Sequence, residues 1–167
     1  MTEFERLYSD YAPRVRRFVL YLSGNAAVAD DVTAETFVRV WTARERLRHD
    51  TVRAFLFAIA RNLFLQMHRR TRRDEPLDPS AVDSRPGPDV TADDRIALAR
   101  VWAALDQLPD TDRAAILMRA QEDMSYAEIG QALGISVAAA KVRVHRARRK
   151  LATYLPSPTN PQEDPCV

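Results

Sequence analysis

A chain of 167 residues is long enough for one ordinary domain or two small ones, since compact domains run from about 50 to 250 residues. At 46% apolar residues it can bury a core, while its four glycines exclude a turn-dense all-β protein and its single cysteine, Cys166, excludes both a disulfide framework and a cysteine-based zinc site. The net charge of +2 conceals two basic blocks around an acidic one: residues 1–70 carry +4, 71–94 carry −4, 95–155 carry +4 and 156–167 carry −2.

Helical spacing dominates from the start. Phe4, Leu7, Tyr8 and Tyr11 form one apolar stripe, and Pro13 suits the first turn of a second helix carrying Val15, Phe18, Val19 and Leu22. Gly24-Asn25 breaks the pattern. A third helix is expected over about 26–45, anchored by Val28, Val32, Phe37, Val40 and Trp41. Asp50 or Thr51 can cap a fourth, in which Val52, Phe55, Leu56, Ile59, Ala60, Leu63 and Met67 share a face.

From Thr71 to Asp94 the periodicity stops. Pro76, Pro79, Pro86 and Pro88 stand among seven acids with almost no large apolar side chain, so the segment reads as a linker that cannot offset its chain entropy by burial. Helical spacing resumes at Ile96, Leu98, Val101, Trp102 and Leu105 and halts at Leu108-Pro109. Three further helices are expected near 110–122, 125–133 and 136–154, followed by a proline-rich tail. The expected fold is all-α, with two small helical domains over 1–73 and 96–155, a linker over 74–95 and a tail over 156–167.

The most informative stretch is 125–150. Two short helices separated by Gly134-Ile135-Ser136 form a helix-turn-helix pattern. Gly134 can take positive φ in the turn, Ser136 can cap the second helix, and Gly130 permits close approach of the two backbones. The second helix then carries Lys141, Arg143, Arg146, Arg148, Arg149 and Lys150 without one acid. Such a helix fits the DNA major groove, where Lys and Arg reach guanine edges and phosphates. The competing reading is a basic, solvated helix or one that binds protein.

Taken together, the two halves resemble an extracytoplasmic-function (ECF) sigma factor. In the second half, Leu105-Asp106-Gln107-Leu108-Pro109, Ser125-Tyr126-Ala127-Glu128-Ile129 and His145-Arg146-Ala147-Arg148 look like the family's region four. In the first, Ala29-Asp30-Asp31-Val32 with Glu35-Thr36-Phe37 and Trp41 looks like its polymerase-binding region, and Phe55-Leu56-Phe57 leading into Ile59-Ala60-Arg61-Asn62-Leu63 looks like its promoter-melting region. The order and spacing of these motifs are more specific than any one of them.

The resemblance implies a set of sites. Asp30, Asp31, Ala34, Glu35 and Val38 would meet core RNA polymerase at the β′ clamp helices, with Phe37 and Trp41 anchoring the helix to its own core. The acids could equally be there to complement the helix N-terminus. Leu47, Arg48, His49, Asp50, Phe57, Arg61 and Asn62 would take single-stranded −10 DNA. An amide offers a donor and an acceptor to a base edge, and rings offer stacking. Arg53, Phe57, Arg61, Phe64 and His68 interleave cations with rings, although the two phenylalanines could each be core residues. Ser136, Ala139, Lys141, Val142, Arg143 and Arg146 would face duplex −35 DNA, with Lys141 and Arg146 at base-reading positions and Arg143 at a phosphate-contacting one. The second half would also meet the polymerase β flap, and an anti-sigma factor is an implied partner.

Several positions depart from the family's pattern. Ala34 replaces a Gln, Phe55 a Trp, Gln66 an Asp and Leu47 an aromatic residue; Ala138-Ala139-Ala140 replaces Gly-Thr-Val, and Val142 replaces a Ser. The missing hydroxyls and amide predict altered promoter preference and one lost polymerase contact.

Catalysis is not expected: no nucleophile–base pair or nucleotide loop stands out, His49, His68 and His145 lack metal-ligand spacing, and no cofactor is implied. No stretch reaches the roughly 18 to 20 apolar residues of a membrane span, and Met1-Thr2-Glu3-Phe4-Glu5-Arg6 is acidic where a signal peptide would be basic. A cytoplasmic protein without membrane insertion is expected. Two other classes stay open at this level: a stand-alone helix-turn-helix regulator and a protein that sequesters polymerase.

Overall fold

The structure is a computed structural model that describes residues 1–74 and 91–155; the central part of the linker and the tail read from the sequence lie outside the described residues. Seven α-helices are described: α1 (Glu3–Ser23), α2 (Ala26–Ala43), α3 (Val52–Asp74), α4 (Ala92–Asp106), α5 (Asp110–Glu122), α6 (Tyr126–Leu133) and α7 (Val137–Tyr154), with a 3₁₀ turn at Arg44–Arg46. No strand occurs among the described residues, and the architecture is all-α.

Local chemistry sets most helix ends. Thr2 and Glu5 form a capping box at the start of α1, and Gly24 ends that helix in the left-handed region. Asn25 caps α2, while Thr91 and Asp94 form a second capping box that starts α4 at Ala92, a turn earlier than the apolar spacing suggests. Helix α3 likewise runs on through Asp74, so both margins of the expected linker are helical. Thr51 donates its hydroxyl to the Arg48 carbonyl, closing the turn that leads into α3.

Pro13 does not start a second helix. It lies inside a continuous α1. A proline removes the hydrogen bond to the carbonyl four residues earlier, here that of Ser9, and both residues are exposed on one side of the helix, where water can satisfy the freed carbonyl.

Helices α1, α2 and α3 enclose Val15, Phe18, Val19, Val32, Val40, Leu56 and Phe57, with the Phe18 and Phe57 rings edge-to-face at 5.1 Å. Two buried threonines on α2 satisfy their hydroxyls on carbonyls one turn back, Thr33 on Ala29 and Thr36 on Val32. In the second half Met118, Met124, Ile129, Ala140, Val144 and Ala147 are buried together. The apolar clusters of the two halves are continuous: α1 packs on α5, and α3 packs on α6.

That junction is strongly ionic. Glu122, with its side chain fully buried, receives Arg14 at 2.6 Å and Arg17 at 3.3 Å. Arg53 donates to both Glu128 carboxylate oxygens, at 2.7 and 2.6 Å, and to the Glu122 carbonyl at 3.1 Å. Arg113 closes carbonyls from both halves, those of Leu105 and Leu22, at 2.9 and 3.1 Å. Tyr21 meets Trp102 across the same seam, ring centroids 5.9 Å apart.

Candidate nucleic-acid and polymerase interfaces

The helix-turn-helix is built from its caps outward. Ser125 and Glu128 form a capping box on α6, Gly134 ends it with φ of 67°, and Ser136 caps α7 by accepting the Ala139 N–H at 3.0 Å. Gly130 lets the turn fold onto α6: the Ile135 N–H donates to the Gly130 carbonyl at 2.9 Å, and a Cβ on Gly130 would lie 2.7 Å from the Ile135 carbonyl oxygen.

Helix α7 turns Ala140, Val144 and Ala147 inward. Its opposite face lines an open groove with Lys141, Val142, His145, Arg146, Arg149 and Lys150. Among the described residues no carboxylate pairs with Lys141, Arg146, Arg149 or Lys150, so their field is directed at solvent. The Lys141 ammonium lies 5.8 Å from the Tyr126 ring centroid. Val142, exposed where the family's pattern has a serine, offers a methyl surface of the kind that meets thymine. Ser136 is exposed and its oxygen is engaged as the cap, while Ala139 is half-buried.

Arg143 corrects the reading from sequence. It flanks the buried face of α7 and donates from one guanidinium nitrogen to Asp112 Oδ1 of α5 at 3.0 Å, so in this arrangement its charge is engaged by a carboxylate of its own chain. The reason is angular: one residue on from Val142 the helix has turned by about 100°, from the groove to the α5 side.

The residues expected to meet polymerase lie together. Asp31, Ala34, Glu35 and Val38 recur at i, i+3, i+4 and i+7 and are all exposed on α2, with Asp30 beside them. Asp30 accepts from Arg16 at 2.6 Å and Glu35 from Arg39 at 3.2 Å, both on the surface. Trp41 continues this outward row instead of anchoring the core: it is 47% exposed, with Phe4 at its edge and the Arg44 guanidinium 4.0 Å over its ring. Phe37 is the anchor.

The residues expected to take −10 DNA are split. Phe57 is wholly buried against Phe18 and is not available to a base. Arg61 is covered by the start of α5, where it donates to the Thr111 hydroxyl at 3.3 Å; burial lowers its pKa against an opposing pull from Asp110. Phe64 is also buried and Arg53 is held by Glu128, so the rings of this α3 face are covered and its arginines Arg53 and Arg61 point into the seam between the halves. Asn62 lies on the far side of α3 and is exposed, in line with Phe55, Gln66 and Arg69. Sequence reasoning placed Phe55 in the core; the i, i+7 spacing to Asn62 was the available signal for an outward strip. The loop is exposed at Arg48, His49 and Asp50 and half-buried at Leu47. Leu47 and His49 join Phe4, Leu7, Tyr11 and Trp41 along a groove that Asn62 does not line, and His49 Nε2 lies 3.0 Å from Glu3.

Glu128 ties the seam to the helix-turn-helix, since the same carboxylate caps α6 and receives Arg53. Burial alone would raise its pKa, but hydrogen bonds from Arg53 and Ser125 outweigh that and hold it below the usual carboxylate range. Among the described residues no group of His, Cys, Asp and Glu could hold a metal, and no helix is long and apolar enough to cross a membrane.

Comparison with known proteins covers both halves. The family profile of Sigma-70 region 2 matches residues 7–74, and that of Sigma-70 region 4 matches 98–151. The ECF RNA polymerase sigma factor SigE of Mycolicibacterium smegmatis is 38% identical over 93% of this chain, which spans 62% of that relative's length. EcfG of Rhodopseudomonas palustris is 36% identical over 86% of this chain and 80% of its own, and SigL of Mycobacterium tuberculosis 36% over 89% and 86%. Among solved structures, the sigma factor RpoE from Bartonella quintana, crystallised with the anti-sigma factor NepR, superposes with a TM-score of 0.76 at 25% identity, covering 92% of this chain and 97% of that one. CnrH, solved with the cytosolic domain of CnrY, gives 0.69 at 28%, covering 90% and 85%. With a region-two half, a region-four half and relatives of one kind matching both, the chain belongs to the ECF family of RNA polymerase sigma factors.

Proposed function

We propose that this chain directs promoter-specific transcription initiation as a dissociable, non-catalytic subunit of RNA polymerase. Asp30, Asp31, Ala34, Glu35 and Val38, extended by Trp41, dock on the β′ clamp helices. Asn62, with Phe55 beside it and the 47–50 loop, takes the −10 strand. Lys141, Val142 and Arg146 read the −35 duplex, and the surrounding half meets the β flap. The observation that carries this reading is the coexistence of two outward faces in one chain. One is an unpaired cationic face on a helix-turn-helix, the other a mixed acidic and apolar face on α2. A stand-alone DNA-binding regulator requires only the first. A polymerase partner supports a cytoplasmic location, and the complex of RpoE with the anti-sigma factor NepR supports an anti-sigma partner here as well.

The closed arrangement cannot serve both promoter elements at once. Elements about 25 base pairs apart are separated by roughly 80 Å along B-DNA, whereas the two halves here share one core. Serving both therefore requires the seam to open. Opening frees Arg53 and Arg61 for phosphates.

The direct test is co-purification with core polymerase followed by run-off transcription that depends on this chain; DNA binding without polymerase binding would favour the regulator reading. Two substitutions separate the elements. Arg146→Ala should cost about 1–3 kcal/mol at one −35 base pair and relax discrimination there, read as binding to a panel of −35 variants. An equal shift on every variant would make Arg146 a backbone contact. Asn62→Ala should leave folding and polymerase binding intact while reducing permanganate reactivity at the −10 element, because it removes a base-edge partner and no buried packing.

A further inference from the structure

We propose that Asp112 is a positioning residue for promoter recognition: out of reach of DNA, it holds α7 in the register from which Lys141 and Arg146 read bases. The inference rests on the −35 role given to α7 above. Asp112 stands three residues into α5 with its side chain wholly buried, a place where the helix dipole favours a carboxylate. One of its oxygens accepts from Arg143 at 3.0 Å; the other has no hydrogen-bond partner among the described residues. Its cationic contact is therefore a single guanidinium reaching across from the recognition helix.

A buried charge is costly, and an apolar residue of similar volume would serve packing better. What the pair supplies is direction. Beside Arg143 the inward face of α7 is Ala140, Val144 and Ala147, side chains that present shallow ridges and resist sliding or rotation weakly, and the larger Leu151 packs only two turns beyond Arg143. Arg143 lies next to that face and within three residues of both Lys141 and Arg146, so the place where its guanidinium is tethered sets where those two side chains emerge. Tethering also keeps a fifth cation out of the groove, where a phosphate contact would strengthen binding to every sequence alike.

Two variants in the full chain, assembled with core polymerase, test this by binding to a panel of −35 elements at several salt concentrations. Asp112→Asn should reduce the ratio between the best and the single-substituted elements at least threefold. The slope of log affinity against log salt should stay unchanged or steepen by about 1 as Arg143 is released to a phosphate. Arg143→Ala should lower the same ratio without lowering the slope, and Arg143→Lys, which keeps a cation for Asp112, should restore most of it. A merely structural role would move stability and not the ratio, so circular dichroism melting accompanies each variant; if Asp112→Asn does not fold, the Arg143→Ala and Arg143→Lys pair decides. The proposal is overturned if Asp112→Asn keeps the wild-type ratio, or if Arg143→Ala weakens all elements equally and lowers the slope by about 1. Arg146→Ala separates the two levels of inference. If it relaxes discrimination while Asp112→Asn does not, only the positioning role fails; if neither does, base reading by α7 fails with it.

Discussion

Replacing Gly130 with alanine is expected to destabilise the protein by about 2–3 kcal/mol and to weaken −35 recognition with it. Two effects compete. Alanine is favoured over glycine inside a helix by about 1 kcal/mol, and Gly130 lies inside α6. Against that, the new Cβ would stand 2.7 Å from the Ile135 carbonyl oxygen, with Ser136 backbone atoms at 3.5 Å. A crowded side chain could rotate away; a backbone carbonyl can move only by carrying the turn and the start of α7 with it. Overpacking therefore wins. A loss of this size lowers the melting temperature by roughly 5–10 °C in a chain of this length. Gly134→Ala is the instructive contrast. Nothing lies within 4 Å of a Cβ there, so the cost is the left-handed conformation alone, about 1–2 kcal/mol, and asparagine should recover part of it. Urea unfolding of the three variants checks the order; a Gly130→Ala protein as stable as wild type would mean that the turn is not in contact with α6.

Breaking the seam is expected to open the molecule. Glu122 is fully buried with Arg14 and Arg17 as partners, yet these arginines are 35% and 50% exposed and can rehydrate when it is lost. The cost of Glu122→Gln to closure is thus below that of a pair buried on both sides, about 1–3 kcal/mol. Combined with Arg53→Ala, which also removes the bidentate contact to Glu128, the open fraction should rise at least tenfold, about 1.4 kcal/mol. Small-angle scattering should then report a larger radius of gyration. Affinity for core polymerase should rise in proportion if binding selects the open form. Added salt should act in the same direction, since the partly exposed pairs are screened. Acid should as well. Glu128 is held below its ordinary value of 4.5, so its contribution to closure is complete above that value and is lost as pH falls through the depressed pKa. In Arg53→Ala this loss should be smaller. An unchanged radius in the double variant would show that apolar packing alone keeps the halves together.

Much of this was legible along the chain because it depends on near neighbours. The expected boundaries of the last three helices agree closely with α5, α6 and α7, because each end is set by a residue whose effect is local: Ser125, Gly134 and Ser136 cap or break the helix within one turn. The unpaired cationic face of α7 was likewise readable, since a run of basic residues without an acid has no local neutralising partner. Pro13 was misread because its cost depends on whether the carbonyl it frees is wet, and Ser9 is exposed.

What this sequence determined by itself was most of the helices, their caps and the family, together with the candidate positions for meeting DNA and polymerase; these follow from spacing and from side-chain chemistry over a few residues. What only the tertiary structure decided was which of those side chains are free. Phe57 belongs to the core because Phe18 meets it from α1, Arg53 and Arg61 are turned into the seam by Glu128 and Thr111, and Arg143 is held from 31 positions away by Asp112. An arginine has the same long reach and the same charge whether it will meet a phosphate or a buried carboxylate. Which of the two it meets depends on contacts between residues far apart in the chain, and no local pattern encodes them.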